Sequence, residues 1–117
     1  MKHSKLFEKF QIGPKILKNK IVMAPLTRQC AEKDGSPNDE MVSYYARRAR
    51  GGVGLIITEG TYPSENLSGI GYLNQPGCCN ETHVKNWKKI VDAVHENGSQ
   101  IILQLMHAGR VADPRTL

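Results

Sequence analysis

The chain has 117 residues, of which 39% are hydrophobic, and this allows one domain with a buried core. The composition excludes collagen-like, disordered and disulfide-scaffold chains. The formal net charge is +5, but the basic residues are scattered from Lys2 to Arg115 with no run longer than two. We therefore expect a solvated surface rather than a nucleic-acid-binding face.

The cysteines and the apolar runs indicate where the protein resides. Cys30, Cys78 and Cys79 show neither CxxC spacing nor a zinc-type Cys/His cluster. Free thiols in a reducing compartment, and no metal site, are the simplest expectation. Residues 1–10 lack the apolar core of a signal peptide, and the longest apolar run, residues 21–26, is far below the roughly 20 residues of a membrane span. The sequence predicts a soluble, cytoplasmic protein without a membrane partner.

Short apolar runs alternate with helical patterns along the chain, which is typical of βα units with a parallel sheet. A Gly13-Pro14 turn signal within residues 7–17 predicts a leading hairpin. Apolar runs at residues 21–24, 53–58 and 100–106 then predict three strands covered on both faces.

Two helices are predicted between these strands. The first begins with Ser36 as N-cap and Pro37 as its first residue, and it ends at Arg50 before Gly51-Gly52. The second begins near Asn80-Glu81 and ends at Gly98. Its apolar residues recur at helical spacing and form one stripe: Val84, Trp87, Ile90, Val91 and Val94. Trp87 and His95 are therefore interpreted as packing and surface residues.

Ligands of parallel α/β proteins bind beyond the carboxyl ends of the strands. The segments to inspect are residues 24–28, 58–60 and 104–110, where Pro25 and Gly60 allow close backbone approach. Thr27 offers a hydroxyl, and Gln104 offers an amide that both donates and accepts. Such groups suit a flat heteroaromatic ring.

Alternatives remain open at each polar position. Gln104 could be a satisfied hydrogen-bonding residue of the core, and Thr27 a turn or cap residue. For His107, a structural hydrogen bond next to Gly109 is favoured over a catalytic role. Residues 51–54 are glycine-rich but precede a strand, so they do not fit the dinucleotide-binding motif, and no Walker-type loop is present.

Four blocks of the sequence resemble the Old Yellow Enzyme family of NAD(P)H:flavin oxidoreductases, in the family's order and spacing. They comprise residues 18–28 (KNKIVMAPLTR), 44–60 (YYARRA followed by GGVGLIITEG), 87–91 and 104–110 (QLMHAGR). The resemblance implies a TIM (β/α)8 barrel of which this α/β chain, residues 1–117, is the N-terminal portion: a leading hairpin and about three βα units.

The resemblance also implies a cofactor and a reaction. FMN would lie at the mouth of the barrel, lined by Pro25, Leu26 and Thr27, with Thr27 bonding near O4 and N5. Gly60 would pack close to the ring, Gln104 would bond near O2 and N3, and Met106 would face the substrate. NADH or NADPH would reduce FMN, which would then reduce the activated C=C bond of an α,β-unsaturated carbonyl.

A barrel needs roughly 250 residues, so we expect this chain to be a truncated FMN-binding domain. It should have negligible turnover, bind FMN weakly and be able to self-associate through open sheet edges. No catalytic residue can be assigned within it. The alternative is a non-catalytic α/β module for interaction or assembly.

Overall fold

The computed structural model describes residues 2–66 and 69–115, beginning with a 3-10 turn at Ser4–Phe7. An antiparallel hairpin follows, formed by strand β1 (Phe10–Ile12) and strand β2 (Lys15–Leu17). Gly13 has φ +53°, a left-handed conformation that glycine adopts at little cost, and it turns the chain between the strands. The predicted hairpin is confirmed.

Three parallel strands form the central sheet in the order β3-β4-β5. They are β3 (Val22–Met23), β4 (Leu55–Ile57) and β5 (Gln100–Ile102). The predicted strands are confirmed, but they are shorter than the apolar runs. Beyond β5 the regular ladder ends because the amide of Gln104 donates to the Thr58 hydroxyl at 3.0 Å instead of to a backbone carbonyl.

Helix α1 spans Asp39–Arg50 and helix α2 spans Glu81–Glu96. The predicted cap of α1 is wrong. The Asn38 side chain accepts from the Met41 amide at 3.1 Å and is the N-cap, while the Ser36 amide is engaged by the Asp34 carboxylate at 2.9 Å. The predicted start of α2 is confirmed, with Asn80 as its N-cap.

Both helices pack on one face of the sheet and bury its core there. The core residues follow the helical spacing of α1 and α2 and include the centre of β4: Ala31, Met41, Tyr45, Ala49, Ile56, Trp87, Ile90 and Val94. Trp87 belongs to this core, which confirms its predicted packing role. Its indole N–H also donates to the Gly77 carbonyl at 3.0 Å. His95 is exposed, as predicted.

The amino ends of the strands are closed by buried polar contacts. The side-chain N–H of Asn19 donates to the Gly52 carbonyl at 2.7 Å, and its side-chain oxygen accepts from the Ile21 backbone N–H at 3.0 Å. A Cβ atom at Gly54 would lie 2.6 Å from the Asn19 carbonyl oxygen, so this position requires glycine. The glycines before β4 thus serve packing at this end of the sheet.

The opposite face of the sheet is open in the described part of the chain, so the expectation of strands covered on both faces is wrong for these residues. Val22 and Ile102 on the two outer strands are 46% and 49% exposed. Leu26 and Leu105, which continue beyond those strands, are 53% and 60% exposed. Within residues 2–66 and 69–115, no helix has the length and apolar character needed to cross a membrane.

We predict that Val94→Ala lowers the free energy of unfolding by about 2 kcal/mol, because it removes two buried methyl groups and leaves a cavity. Val94 has no exposed surface, whereas Val84 on the same helix is 56% exposed. Val84→Ala is therefore the matched control and should change the stability little. Urea unfolding followed by circular dichroism measures both. Equal losses in the two variants would contradict the packing described for α2.

Candidate functional site

The predicted site residues follow the carboxyl ends of the three parallel strands. Residues 25–27 follow β3, Gly60 follows β4, and Gln104 and Met106 follow β5. Since the strands are parallel, their carboxyl ends meet at one edge of the sheet. The fold therefore brings the predicted residues to one edge, opposite the hairpin.

Thr27 and Gln104 present polar side chains on the open side of this edge. Both residues are exposed. Within the described residues, neither the Thr27 hydroxyl nor the Gln104 side-chain amide has a hydrogen-bond partner. Gln104 is thus not a satisfied core residue, and Thr27 is not a cap. Pro25 is half-buried beside them, and Leu26 is exposed.

Gly60 is buried beneath the side chain of Met106. A Cβ atom at Gly60 would lie 2.8 Å from the Met106 sulfur and 3.1 Å from its Cβ, so any larger residue would displace the methionine. Among the described residues, the close neighbour of this glycine is therefore Met106. The two predicted residues follow adjacent strands and pack against each other at the sheet edge, with Gly60 buried and Met106 half-buried.

Backbone and threonine hydrogen bonds fix the ends of β4 and β5 to each other. The Thr61 amide donates to the Gln104 carbonyl at 2.9 Å, and the Met106 amide donates to the Thr61 carbonyl at 2.9 Å. The Thr58 hydroxyl accepts from the Gln104 amide and is itself buried. These bonds determine the direction in which Gln104 and Met106 leave the sheet.

The long loop after β4 returns to the same edge through Gln75. This side chain is 3% exposed, and its amide N–H donates to the Gly60 carbonyl at 2.8 Å. Its oxygen accepts from the amides of Gly71 at 2.7 Å and Tyr72 at 3.3 Å. Gln75 therefore ties the loop to Gly60.

A buried carboxyl group lies directly behind the site. Glu59 is 1% exposed, and its Oε2 accepts from the Tyr45 hydroxyl at 2.7 Å. The same hydroxyl oxygen accepts from the Glu59 amide at 3.1 Å. Burial raises the pKa of Glu59 above its usual range, and the Tyr45 hydroxyl, the Arg28 backbone N–H and the Arg28 charge offset this only in part. Burial likewise raises the pKa of Tyr45.

Arg28, next to Thr27, stacks on an aromatic ring of α1. Its guanidinium carbon lies 3.7 Å from the centroid of the Tyr44 ring, and that of Arg48 lies at the same distance. The Tyr44 and Tyr45 rings meet edge to face with centroids 5.1 Å apart. The segment after β3 is thereby attached to α1.

His107 and the three cysteines are the other candidate groups. The His107 Nδ1 accepts from the Gly109 amide at 3.1 Å, which is the structural hydrogen bond expected from the sequence. Cys30, Cys78 and Cys79 are free. No group of His, Cys, Asp and Glu side chains within residues 2–66 and 69–115 is arranged to hold a metal ion.

Sequence reasoning missed the residues behind the site. The sequence does offer a signal for Glu59, because a charged residue directly follows an apolar run. Tyr45 lies at helical spacing between Met41 and Ala49 and could be recognised as a core residue, but its partner could not. Gln75 carries no signal, because its partner is a backbone carbonyl brought near only by the loop.

We predict that the free energy of unfolding of Glu59→Gln increases relative to that of the natural chain as the pH rises. The pKa of Glu59 is higher in the folded chain than in the unfolded chain. As the pH rises between these two pKa values, the unfolded natural chain releases a proton that the folded chain keeps, and the free energy of unfolding therefore falls. Glutamine removes this loss, and each unit of difference in pKa corresponds to about 1.4 kcal/mol.

Urea unfolding from about pH 4 to about pH 8 covers the range above the ordinary carboxyl pKa. The exposed Glu96→Gln is the matched control, and its curve should run parallel to that of the natural chain. A difference between Glu59→Gln and the natural chain that is constant across this range would refute the prediction.

Comparison with known proteins places these features in a family. Residues 5–116 match the family model of the NADH:flavin oxidoreductase / NADH oxidase family. The chain is 46% identical over 114 residues to an NADP-dependent oxidoreductase, lnbE, of Aspergillus flavus, covering 97% of this chain and 30% of that protein.

Solved structures agree in fold. The old yellow enzyme from Trypanosoma cruzi superposes with a TM-score of 0.89 at 41% identity, covering 99% of this chain and 30% of that one. Morphinone reductase in complex with tetrahydroNAD gives a TM-score of 0.82 at 40% identity, covering 92% and 28%. The chain thus spans less than a third of the length of these relatives, and its sheet corresponds to part of their TIM barrel. It belongs to the NADH:flavin oxidoreductase / NADH oxidase family, the FMN-dependent Old Yellow Enzyme group.

Proposed function

We propose that the chain supplies the flavin-ring side of an FMN-dependent NAD(P)H oxidoreductase of the ene-reductase type. The observation that carries this proposal is the pair of free polar side chains, Thr27 and Gln104, at the carboxyl ends of the two outer strands. Gly60 follows β4, the strand between them. A flat ring with several hydrogen-bonding edges matches this arrangement of an apolar edge flanked by one hydroxyl and one amide.

Each residue has a distinct part in this proposal. Pro25 and Leu26 would line the ring, and Thr27 and Gln104 would bond its polar edges. The absence of a side chain at Gly60 would let Met106 pack close to the end of β4 beside the ring. Met106, packed on Gly60, would face the substrate. Bound FMN would supply hydride transfer from NADH or NADPH to the β-carbon of an α,β-unsaturated carbonyl. The two relatives named for NADP and for bound tetrahydroNAD support a nicotinamide reductant.

No acid–base residue for this reaction is assigned within the chain, and its binding groups suit a ring rather than a phosphate. We therefore expect weak FMN binding and negligible turnover from the chain alone. The free thiols of Cys30, Cys78 and Cys79 fit a reducing compartment, and we propose a cytoplasmic location.

The test replaces the matching segment of the Trypanosoma cruzi old yellow enzyme with this chain. The chimaera should retain FMN, visible as flavin absorbance after free FMN is removed, and should oxidise NADPH when 2-cyclohexen-1-one is added. Thr27→Val and Gln104→Leu should each weaken FMN binding about tenfold, the factor expected for one hydrogen bond.

Thr82→Val, on the exposed surface of α2, is the matched control and should leave FMN binding unchanged. A chimaera that folds by circular dichroism but stays colourless would contradict the proposed flavin site. Wild-type affinity in both site variants would contradict the roles of Thr27 and Gln104.

The open apolar face favours a second candidate, a module for self-association. We predict that the chain associates with increasing concentration and that Ile102→Lys weakens this, because a charge on the sheet face opposes its burial. Val84→Lys is the control, since Val84 has a similar exposure of 56% but lies on α2. Sedimentation velocity measures all three chains. A monomeric natural chain would exclude this candidate.

A further inference from the structure

Glu59 occupies an unusual position for a carboxyl group. One oxygen, Oε2, is paired with the Tyr45 hydroxyl, while Oε1 is buried and has no hydrogen-bond partner among the described residues. Unpaired buried oxygens are costly, and most are eliminated from folded proteins. A carboxyl group that persists in such a place calls for a role beyond filling the core.

The carboxyl group faces a small cavity between α1 and the segment after β3. This cavity has a volume of about 10 Å³ and is lined by Arg28, Cys30, Glu40, Met41, Tyr44 and Glu59. Arg28 acts on Glu59 through its backbone N–H and its positive charge, and its guanidinium group stacks on Tyr44. The contacts of Arg28, Tyr44, Tyr45 and Glu59 join the ends of β3 and β4 to one helix, and we call these four residues the tyrosine–glutamate cluster.

The chain positions of this cluster connect it to the site. Arg28 follows Thr27 directly, and Glu59 precedes Gly60 directly. Arg28 is half-buried and stacks on Tyr44 of α1, whereas Thr27 is exposed. Holding Arg28 and Glu59 against the helix therefore limits where the adjacent Thr27 and Gly60 lie.

We propose that Tyr45 and Glu59 are positioning residues of the flavin site: their hydrogen bonds fasten the end of β4, with Gly60, to α1, and the contact of Glu59 with Arg28 extends this hold to Thr27. This inference rests on the proposed flavin site, but it concerns residues that do not touch the ring. The Tyr45 hydroxyl is central, because it donates to the Glu59 carboxyl and accepts from the Glu59 amide at the same time.

The experiment uses the 117-residue chain labelled with 15N. Tyr45→Phe and Glu59→Leu remove the hydrogen bond, and the order parameters of the Thr27 and Gly60 amides should fall from about 0.85 to below about 0.6. Glu59→Gln keeps an oxygen that accepts from Tyr45 and should restore the natural values. In a fluorescence titration with FMN, Tyr45→Phe should weaken binding about tenfold.

Ser99→Ala is the matched control. Ser99 is 1% exposed, and its hydroxyl donates to the Val53 carbonyl at 2.6 Å, at the amino end of the sheet. This variant loses a buried hydrogen bond of the same kind but should leave Thr27, Gly60 and FMN binding unchanged. It separates positioning from a general loss of stability.

The outcomes are distinguishable. Order parameters that stay natural in Tyr45→Phe, or that fall equally in Ser99→Ala, would overturn the positioning role. If the natural chain binds no FMN at all, that counts against the proposed flavin site in this chain, while the order parameters still decide whether the cluster positions Thr27 and Gly60.

Discussion

Everything at the candidate site depends on the parallel register of three short strands. Parallel strands need crossover connections, and here α1 and α2 provide them on a single face of the sheet. All carboxyl ends consequently meet at one edge and all amino ends at the other. The helices bury the apolar side chains of one face and leave the second face exposed, so the core lies on one face and the site at the carboxyl edge.

The two edges of this sheet are built from different chemistry. At the amino edge, Asn19 and Ser99 satisfy backbone carbonyls, and glycine at position 54 permits the close packing. At the carboxyl edge, Thr27 and Gln104 keep hydrogen-bonding groups without partners in the described chain. Satisfied groups stabilise a fold, whereas free groups on a rigid frame are available to a ligand. The amino edge thus consists of satisfied groups, whereas the carboxyl edge offers unpaired ones.

The helices and the order of elements along the chain could be predicted from the sequence, because apolar periodicity reports the buried face of each element. The carboxyl edge followed from the general rule for ligand sites of parallel α/β proteins. The N-cap of α1 could not, since Ser36 and Asn38 are both good caps and the Asp34 carboxylate decides between them by engaging the Ser36 amide. The hydrogen bonds of Tyr45 with Glu59 and of Gln75 with Gly60 could not be predicted either. Both join residues whose proximity is created by the tertiary fold, and neither leaves a repeating pattern.

The loop after β4 has a consequence for how the length of the chain can vary. Tyr62 pairs with Gly77 in a parallel bridge and donates its hydroxyl to the Asp34 carbonyl at 3.1 Å, and its ring fills the space that side chains at Gly35 and Gly77 would need. The loop is therefore closed at its base. Surface loops usually accept insertions and deletions freely. Here we expect insertions or deletions at the base to shift Gln75 away from Gly60, so that changes of length are tolerated only in the part distant from that closure.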